Sequence, residues 1–227
     1  MAFIQVENLE KIYLTGELKT EVLKNINFSI EKGEFVAIMG PSGSGKSTLL
    51  HILGFLDKPS KGKYLFEGKT INEYTDDELA KIRNSRMGFV FQSFNLLSRT
   101  SVLDNARLPL AYSSIKEELW NKIALKAIDE VGLSHRQEYR PSQLSGGEQQ
   151  RAAIARALVV NPGVIFADEP TGNLDSKTGL QIINILKKLN QEKGHTIILI
   201  THEQEVADFA QRIIRLRDGE IESDKKI

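Results

Sequence analysis

The stretch Gly40-Pro41-Ser42-Gly43-Ser44-Gly45-Lys46-Ser47 has the spacing G-x-x-x-x-G-K-[ST], and those residue types suit the holding of a polyphosphate. Glycines let backbone N–H groups face phosphate oxygens with no Cβ in the way. The helical run 48–53, opening at Thr48, adds the positive end of its dipole at the same spot. Lys46 brings a full charge to the β- and γ-phosphates, and the Ser47 hydroxyl is a ligand for Mg²⁺. A chance glycine turn would need neither the strand Phe35–Met39 before it nor the helix after it. The pattern predicts binding of a nucleoside triphosphate with Mg²⁺.

A second set of residues suits hydrolysis of that ligand. The apolar run Val164-Ile165-Phe166-Ala167 ends in Asp168 and Glu169, and the ends of strands in open α/β sheets are where ligands bind. Asp168 is placed to hold Mg²⁺ through water, and Glu169 to orient and deprotonate the attacking water. Phosphoryl transfer is mostly positioning and charge neutralisation, so a metal-holding acid beside a water-holding acid is enough equipment. His202 follows another apolar run, 196–200, and can donate a hydrogen bond to the γ-phosphate or the water. A strand-end histidine is also a common structural residue, so the residue alone leaves both roles open.

These groups need a frame. Residues 35–39, 88–91, 164–167 and 196–200 read as strands, the last two apolar on every residue or nearly so, as in a parallel sheet covered on both faces. Helical patterns lie between them, including Ser176–Lys193, with Leu180, Ile183, Leu186 and Leu189 as its apolar stripe and Gly194 as its stop. Strands alternating with helices predict an α/β fold. Residues 4–13, 22–30 and 63–66 read instead as short antiparallel strands. Residues 101–144 are helical in pattern, and Trp120 there is expected to pack inside a small helical subdomain.

The 227 residues suit one large domain, and thirty basic residues balance thirty acidic ones, which gives no support to a nucleic-acid partner. There is no cysteine, so disulfide and thiolate chemistry are absent. No apolar run approaches the ~20 residues of a membrane span, so the chain is expected to be soluble and to reach a membrane only through a partner.

Leu144-Ser145-Gly146-Gly147-Glu148-Gln149-Gln150-Arg151 narrows the reading. Ser145-x-x-Glu148 is a capping box that opens a helix, and Gly146 and Gly147 leave its first N–H groups bare for an anion. The octet resembles the signature sequence of ATP-binding-cassette (ABC) ATPases, and the resemblance runs along essentially the whole chain in the family's order. It implies ATP as the nucleotide and Tyr13 as the adenine-stacking aromatic. Gln92 resembles the Q-loop glutamine, which serves catalysis and the metal, and Asn173-Leu174-Asp175 the D-loop. His202 resembles the switch histidine. In such ATPases two chains meet head to tail on binding ATP, so Ser145, Gly146, Gly147, Glu148 and Asp175 would act on the nucleotide of the opposite subunit. Glu148 stands where glutamine is commoner, and serves the cap equally well.

The implied fold is a P-loop NTPase core with a mostly parallel sheet flanked by helices. It would carry an antiparallel β subdomain (about 1–34 and 62–75) and a helical subdomain (about 95–157), all in one domain spanning 1–227. Residues 40–50, 76–83, 88–97 and 216–221 look like the macrolide-export and lipoprotein-release ATPases, with the cell-division ABC ATPase a near relative. The resemblance implies a homodimer at the inner face of the cell membrane, gripping integral permease subunits about Gln92–Arg107. It would power export or lipoprotein, peptide or drug extrusion. A non-transporting complex that signals across the membrane would use identical motor residues. A soluble ABC ATPase acting on DNA or ribosomes would need long insertions or a second cassette, for which this chain has no room.

Overall fold

In the computed structural model, which describes residues 2–16 and 18–227, the amino end forms an antiparallel ribbon. Its strands are β1 (Ile4–Thr15) and β2 (Leu18–Ile30). Leu23, Ile26, Phe28 and Ile30 of β2 face inward, and the pairing slips where Asn8 and Asn25 adopt positive φ angles of 48° and 47°. Asparagine tolerates that conformation better than most residues, so the ribbon can bulge there.

Strand β3 (Phe35–Met39) is buried at every residue and runs into the phosphate-loop stretch and helix α1 (Lys46–Leu53). Strands β4 (Lys61–Phe66) and β5 (Lys69–Thr70) then complete a four-stranded antiparallel sheet in the order β2-β1-β4-β5. Helix α2 (Asp76–Arg86) follows, opened by a capping box in which the Thr75 N–H donates to Glu78 at 2.8 Å. Thr75-x-x-Glu78 is a helix start that is legible in the sequence. Strand β6 (Met87–Phe91) leads into the helical region.

That region is less regular than its pattern suggested. Short helices α3 (Val102–Arg107) and α4 (Trp120–Glu130) are joined by 3-10 turns before the longer α5 (Gly146–Leu158). Asn105, fully buried, acts as a hub: its Oδ1 accepts from the Leu97 N–H at 2.7 Å and its Nδ2 donates to the Ser101 carbonyl at 2.9 Å. Trp120 packs on the core as expected, and its indole N–H donates to the Ile115 carbonyl at 2.9 Å.

Strand β7 (Val164–Asp168), helix α6 (Ser176–Lys193), strand β8 (Thr196–Thr201), helix α7 (Gln204–Ala207) and the hairpin β9 (Arg212–Arg217) and β10 (Glu220–Lys226) close the chain order. The second sheet runs β10-β9-β3-β8-β7-β6, parallel except for the β9–β10 hairpin. The hairpin turns on Asp218 and Gly219, at φ 50° and 83°, the pairing that tight two-residue turns favour. That Asp-Gly signal was also there to be read.

The six-stranded sheet divides two apolar layers. Phe35, Ala37 and Met39 of β3 face the helices, whereas Val36 and Ile38 face α1 and the antiparallel sheet, as the two-residue strand period demands. Each large aliphatic or aromatic side chain so buried contributes about 1.5–3 kcal/mol.

Helix α6 has the expected bounds but not the expected stripe. Leu180 is exposed, and Ile182 joins Ile183, Leu186 and Leu189 in the core. Steps of three residues turn about 300°, so a run of four drifts round the helix and loses one end from any face.

Candidate nucleotide site

The phosphate-loop stretch leaves β3 and lies against two neighbours that leave no room for side chains. A Cβ on Gly40 would sit 2.1 Å from the Leu216 carbonyl oxygen, and one on Gly45 would sit 2.7 Å from Leu23 Cδ2. Gly43 and Gly45 also take left-handed φ angles of 81° and 99°. Pro41, Ser42 and Gly43 form the exposed rim, while Ser44 and Lys46 are buried. The Ser44 hydroxyl finds no hydrogen-bond partner among the described residues, and no side chain caps the start of α1. Lys46 Nζ reaches across the loop to donate to the Pro41 carbonyl at 2.9 Å. Bare helix N–H groups, an unpaired hydroxyl and a lysine on one concave loop are a fit for phosphate oxygens. Thr48, next along α1, is half-buried.

The sheet order brings the hydrolytic candidates to this loop, because β8 lies beside β3 and β7 beside β8. The Ser47 hydroxyl donates to Asp168 Oδ1 at 3.5 Å. Burial first, and then the charge of Glu169, push the Asp168 carboxyl up from its ordinary pKa; His51, Ser47 and Lys46 oppose the rise. Two oxygen donors facing one another at that distance suit a hard divalent cation held with waters.

Glu169 has a positive φ of 44°, unusual for a side chain of its size, and its N–H donates to the Ile200 carbonyl at 3.0 Å. Backbone held in the left-handed region by its neighbours is a common sign of a working site. His202 Nδ1 lies 3.1 Å from Glu169 Oε1, so the carboxylate and the imidazole share a hydrogen bond.

Gln92 is turned elsewhere. Its side-chain amide donates to Asn173 Oδ1 at 3.4 Å, and Asn173 Nδ2 donates back to the Gln92 carbonyl at 3.0 Å. Gly172 touches the same side chain: a Cβ there would come within 2.7 Å of Gln92 Nε2. The structure thus gathers Ser47, Asp168, Glu169 and His202, and leaves Gln92 on the Asn173 segment. Asp175 caps α6, accepting from the Thr178 N–H at 3.0 Å and its hydroxyl at 2.6 Å; the hydroxyl bond first, then the N–H bond, hold its carboxyl below the usual range.

The Ser145 segment forms the expected capping box. The Ser145 N–H and hydroxyl both donate to Glu148 Oε2 at 2.9 Å, while the other carboxylate oxygen, Oε1, accepts from Arg136 Nε at 3.0 Å. Gly147 has a reason beyond bare N–H groups, since a Cβ there would come within 2.4 Å of Thr178 Cγ2 on α6. Gly146 is half-buried beside Leu174. Tyr13 stands on β1 and is 40% exposed.

Among families of known proteins, the model described as ABC transporter matches residues 23–172. This chain belongs to the ABC transporter family. As an ABC cassette it binds and hydrolyses ATP. The cassette is 53% identical, over 96% of its length and 97% of the relative's, to the ABC transporter ATP-binding protein MJ1508 of Methanocaldococcus jannaschii. It is 52% identical over 98% of its length to the macrolide export ATP-binding/permease protein MacB of Chlorobaculum tepidum, but spans only 34% of that protein. Its fold matches a dimeric structure of the MJ0796 cassette in a post-hydrolysis state bound to ADP and Pi, at a TM-score of 0.90 and 48% identity, covering 98% of each chain. Among the described residues no helix is long and apolar enough to cross a membrane.

Proposed function

We propose that two copies of this cassette close head to tail around two ATP molecules and that the closure and its release drive integral permease subunits in export. The observation that supports this most directly is the meeting of Ser47, Asp168, Glu169 and His202 beside a loop shaped for phosphates. In this reading the loop N–H groups and Lys46 bind the β- and γ-phosphates, and Tyr13 stacks on the base. Ser47 and Asp168 hold Mg²⁺, which when bound neutralises phosphate charge. Glu169 orients a water and takes its proton, and His202, hydrogen-bonded to that carboxylate, donates to the γ-phosphate or the water. Gln92, which here bonds to Asn173, would be a further ligand for that metal.

The sheet order supports the second copy. Helix α5 packs on β6, and β6 lies three strand spacings from β3, about 14 Å. The Ser145 tip of one chain therefore suits the γ-phosphate of another, joined there by Gly146, Gly147, Glu148 and Asp175. The partner permease suits a groove of about 680 Å³ between α2 and the helical region, walled by Arg83, Phe89, Leu108, Tyr112 and Arg156. That groove extends the expected Gln92–Arg107 contact toward α2. The 52% identity to part of an export protein that names both ATP-binding and permease functions supports export and attachment to the membrane's inner face.

The absence of cysteine from the sequence makes a clean test. Ser42→Cys and Ser145→Cys are placed in separate chains, each also carrying Glu169→Gln, and the chains are mixed under mild oxidant. A disulfide between the two that needs ATP is expected. Equal cross-linking without nucleotide, or none with it, defeats the head-to-tail arrangement.

A further inference from the structure

Tyr13 is not a loose surface ring. Its hydroxyl donates to Asp57 Oδ2 at 2.7 Å, and Lys11 Nζ sits 4.7 Å from its ring centroid. Lys11 is only 8% exposed, and it donates to Asp57 Oδ1 at 2.6 Å and to the Lys58 carbonyl at 2.7 Å. Asp57 also accepts from the Lys58 N–H at 2.7 Å, so both of its oxygens are engaged. It lies in the segment leaving α1, which is tied back to that helix where the Leu56 N–H donates to the His51 carbonyl at 2.8 Å. Burial first, then the bond to Asp57, push the Tyr13 phenol up, so it stays protonated and keeps donating.

We propose that Asp57 and Lys11 clamp Tyr13 as a one-sided platform for the nucleotide base, which makes Asp57 a positioning residue for ATP. The proposal rests on the reading of Tyr13 as the base-stacking aromatic. The charged acceptor fixes the ring's tilt at its far end. The ammonium group covers one face and leaves the other for the base, and it draws ring electron density toward itself, which favours stacking against an electron-rich purine. A ring fixed in advance loses less freedom when the base arrives. Because Asp57 hangs from the end of α1, the same helix that begins in the phosphate cradle also sets the height of the platform.

The test compares ATP with inorganic tripolyphosphate, which has the phosphates and no base, by calorimetric titration of the whole chain. Base stacking on an aromatic is commonly worth a tenfold or larger change in affinity, so Tyr13→Ala should weaken ATP about tenfold and leave tripolyphosphate unchanged. Asp57→Asn should weaken ATP about three- to fivefold, spare tripolyphosphate, raise KM and leave kcat alone. In the Tyr13→Ala background it should add nothing. The pair Lys11→Met with Asp57→Asn leaves no unpaired buried charge and should show the same selective loss. If Tyr13→Ala binds ATP as well as the parent, the stacking reading fails. If Tyr13→Ala weakens ATP but neither Asp57 variant does, or if those variants weaken tripolyphosphate equally, the clamp is overturned.

Discussion

His202 and Glu169 face one another across neighbouring strand ends, the imidazole Nδ1 3.1 Å from the carboxylate. The acid is aimed twice, by this bond and by a main chain held at a φ of 44°. Glu169→Gln keeps the shape and removes the proposed base, so it should bind ATP while hydrolysis falls about 10²–10⁴-fold. Phosphate release in the steady state measures it, and turnover within threefold of the parent would put the base elsewhere. His202→Ala should lose a smaller part of the same rate with ATP affinity retained.

Lys46→Ala should cost ATP affinity on the order of 10–100-fold, the usual weight of a hydrogen bond to a charged group. Among the described residues its ammonium bonds only to the carbonyl of Pro41, itself on the exposed rim, so the melting temperature should barely move. Titration with ATP and thermal melts separate the two effects.

Ser145→Arg places bulk and charge at the proposed γ-phosphate seat and should abolish ATP-dependent dimers in sedimentation runs. Glu148 makes a subtler test, because a carboxylate stands close to where phosphate would arrive. Its two oxygens are taken up by Ser145 and Arg136, and its acid is held below the usual range chiefly by the Ser145 N–H. Arg136→Ala should raise the KM for ATP about three- to tenfold by unbalancing that charge, and adding Glu148→Gln should restore it.

Asp168 titrates above its ordinary range in the fold, so the folded state holds its proton more tightly than the unfolded chain does. Its contribution is favourable below the unfolded carboxylate range, near pH 4, and is lost as pH rises through the higher folded value. At neutral pH the ionised, half-buried acid therefore costs stability. Asp168→Asn should melt about 2 °C above the parent at pH 7.5, with the gap closing toward pH 4, while ATP hydrolysis is lost. A gap that widens on acidification would reverse the assigned direction.

Residues whose chemistry demands both a type and a spacing were legible in the sequence: the phosphate loop, the Asp168–Glu169 pair, and the Ser145–Glu148 box. So were strands buried on both faces. Two local signals were present and unused, Thr75-x-x-Glu78 before α2 and Asp218-Gly219 in the last hairpin. The Lys11–Asp57 contact joins residues 46 apart, and no local pattern announces it. Gly147 likewise looked like a backbone requirement until α6 supplied Thr178 at its side. Leu180 shows the opposite failure, a pattern that looked periodic but drifted off the buried face.

The close fit of Gly172 under Gln92, with Asn173 bonded to it in both directions, has a mechanical meaning. The two segments are geared like meshed teeth: the glutamine cannot leave without freeing the asparagine, and the asparagine cannot advance without displacing the glutamine. A displacement of the chain at Phe91 and Asn95, which line the groove between α2 and the helical region, thus has a short route through these bonds into the segment that leads to α6.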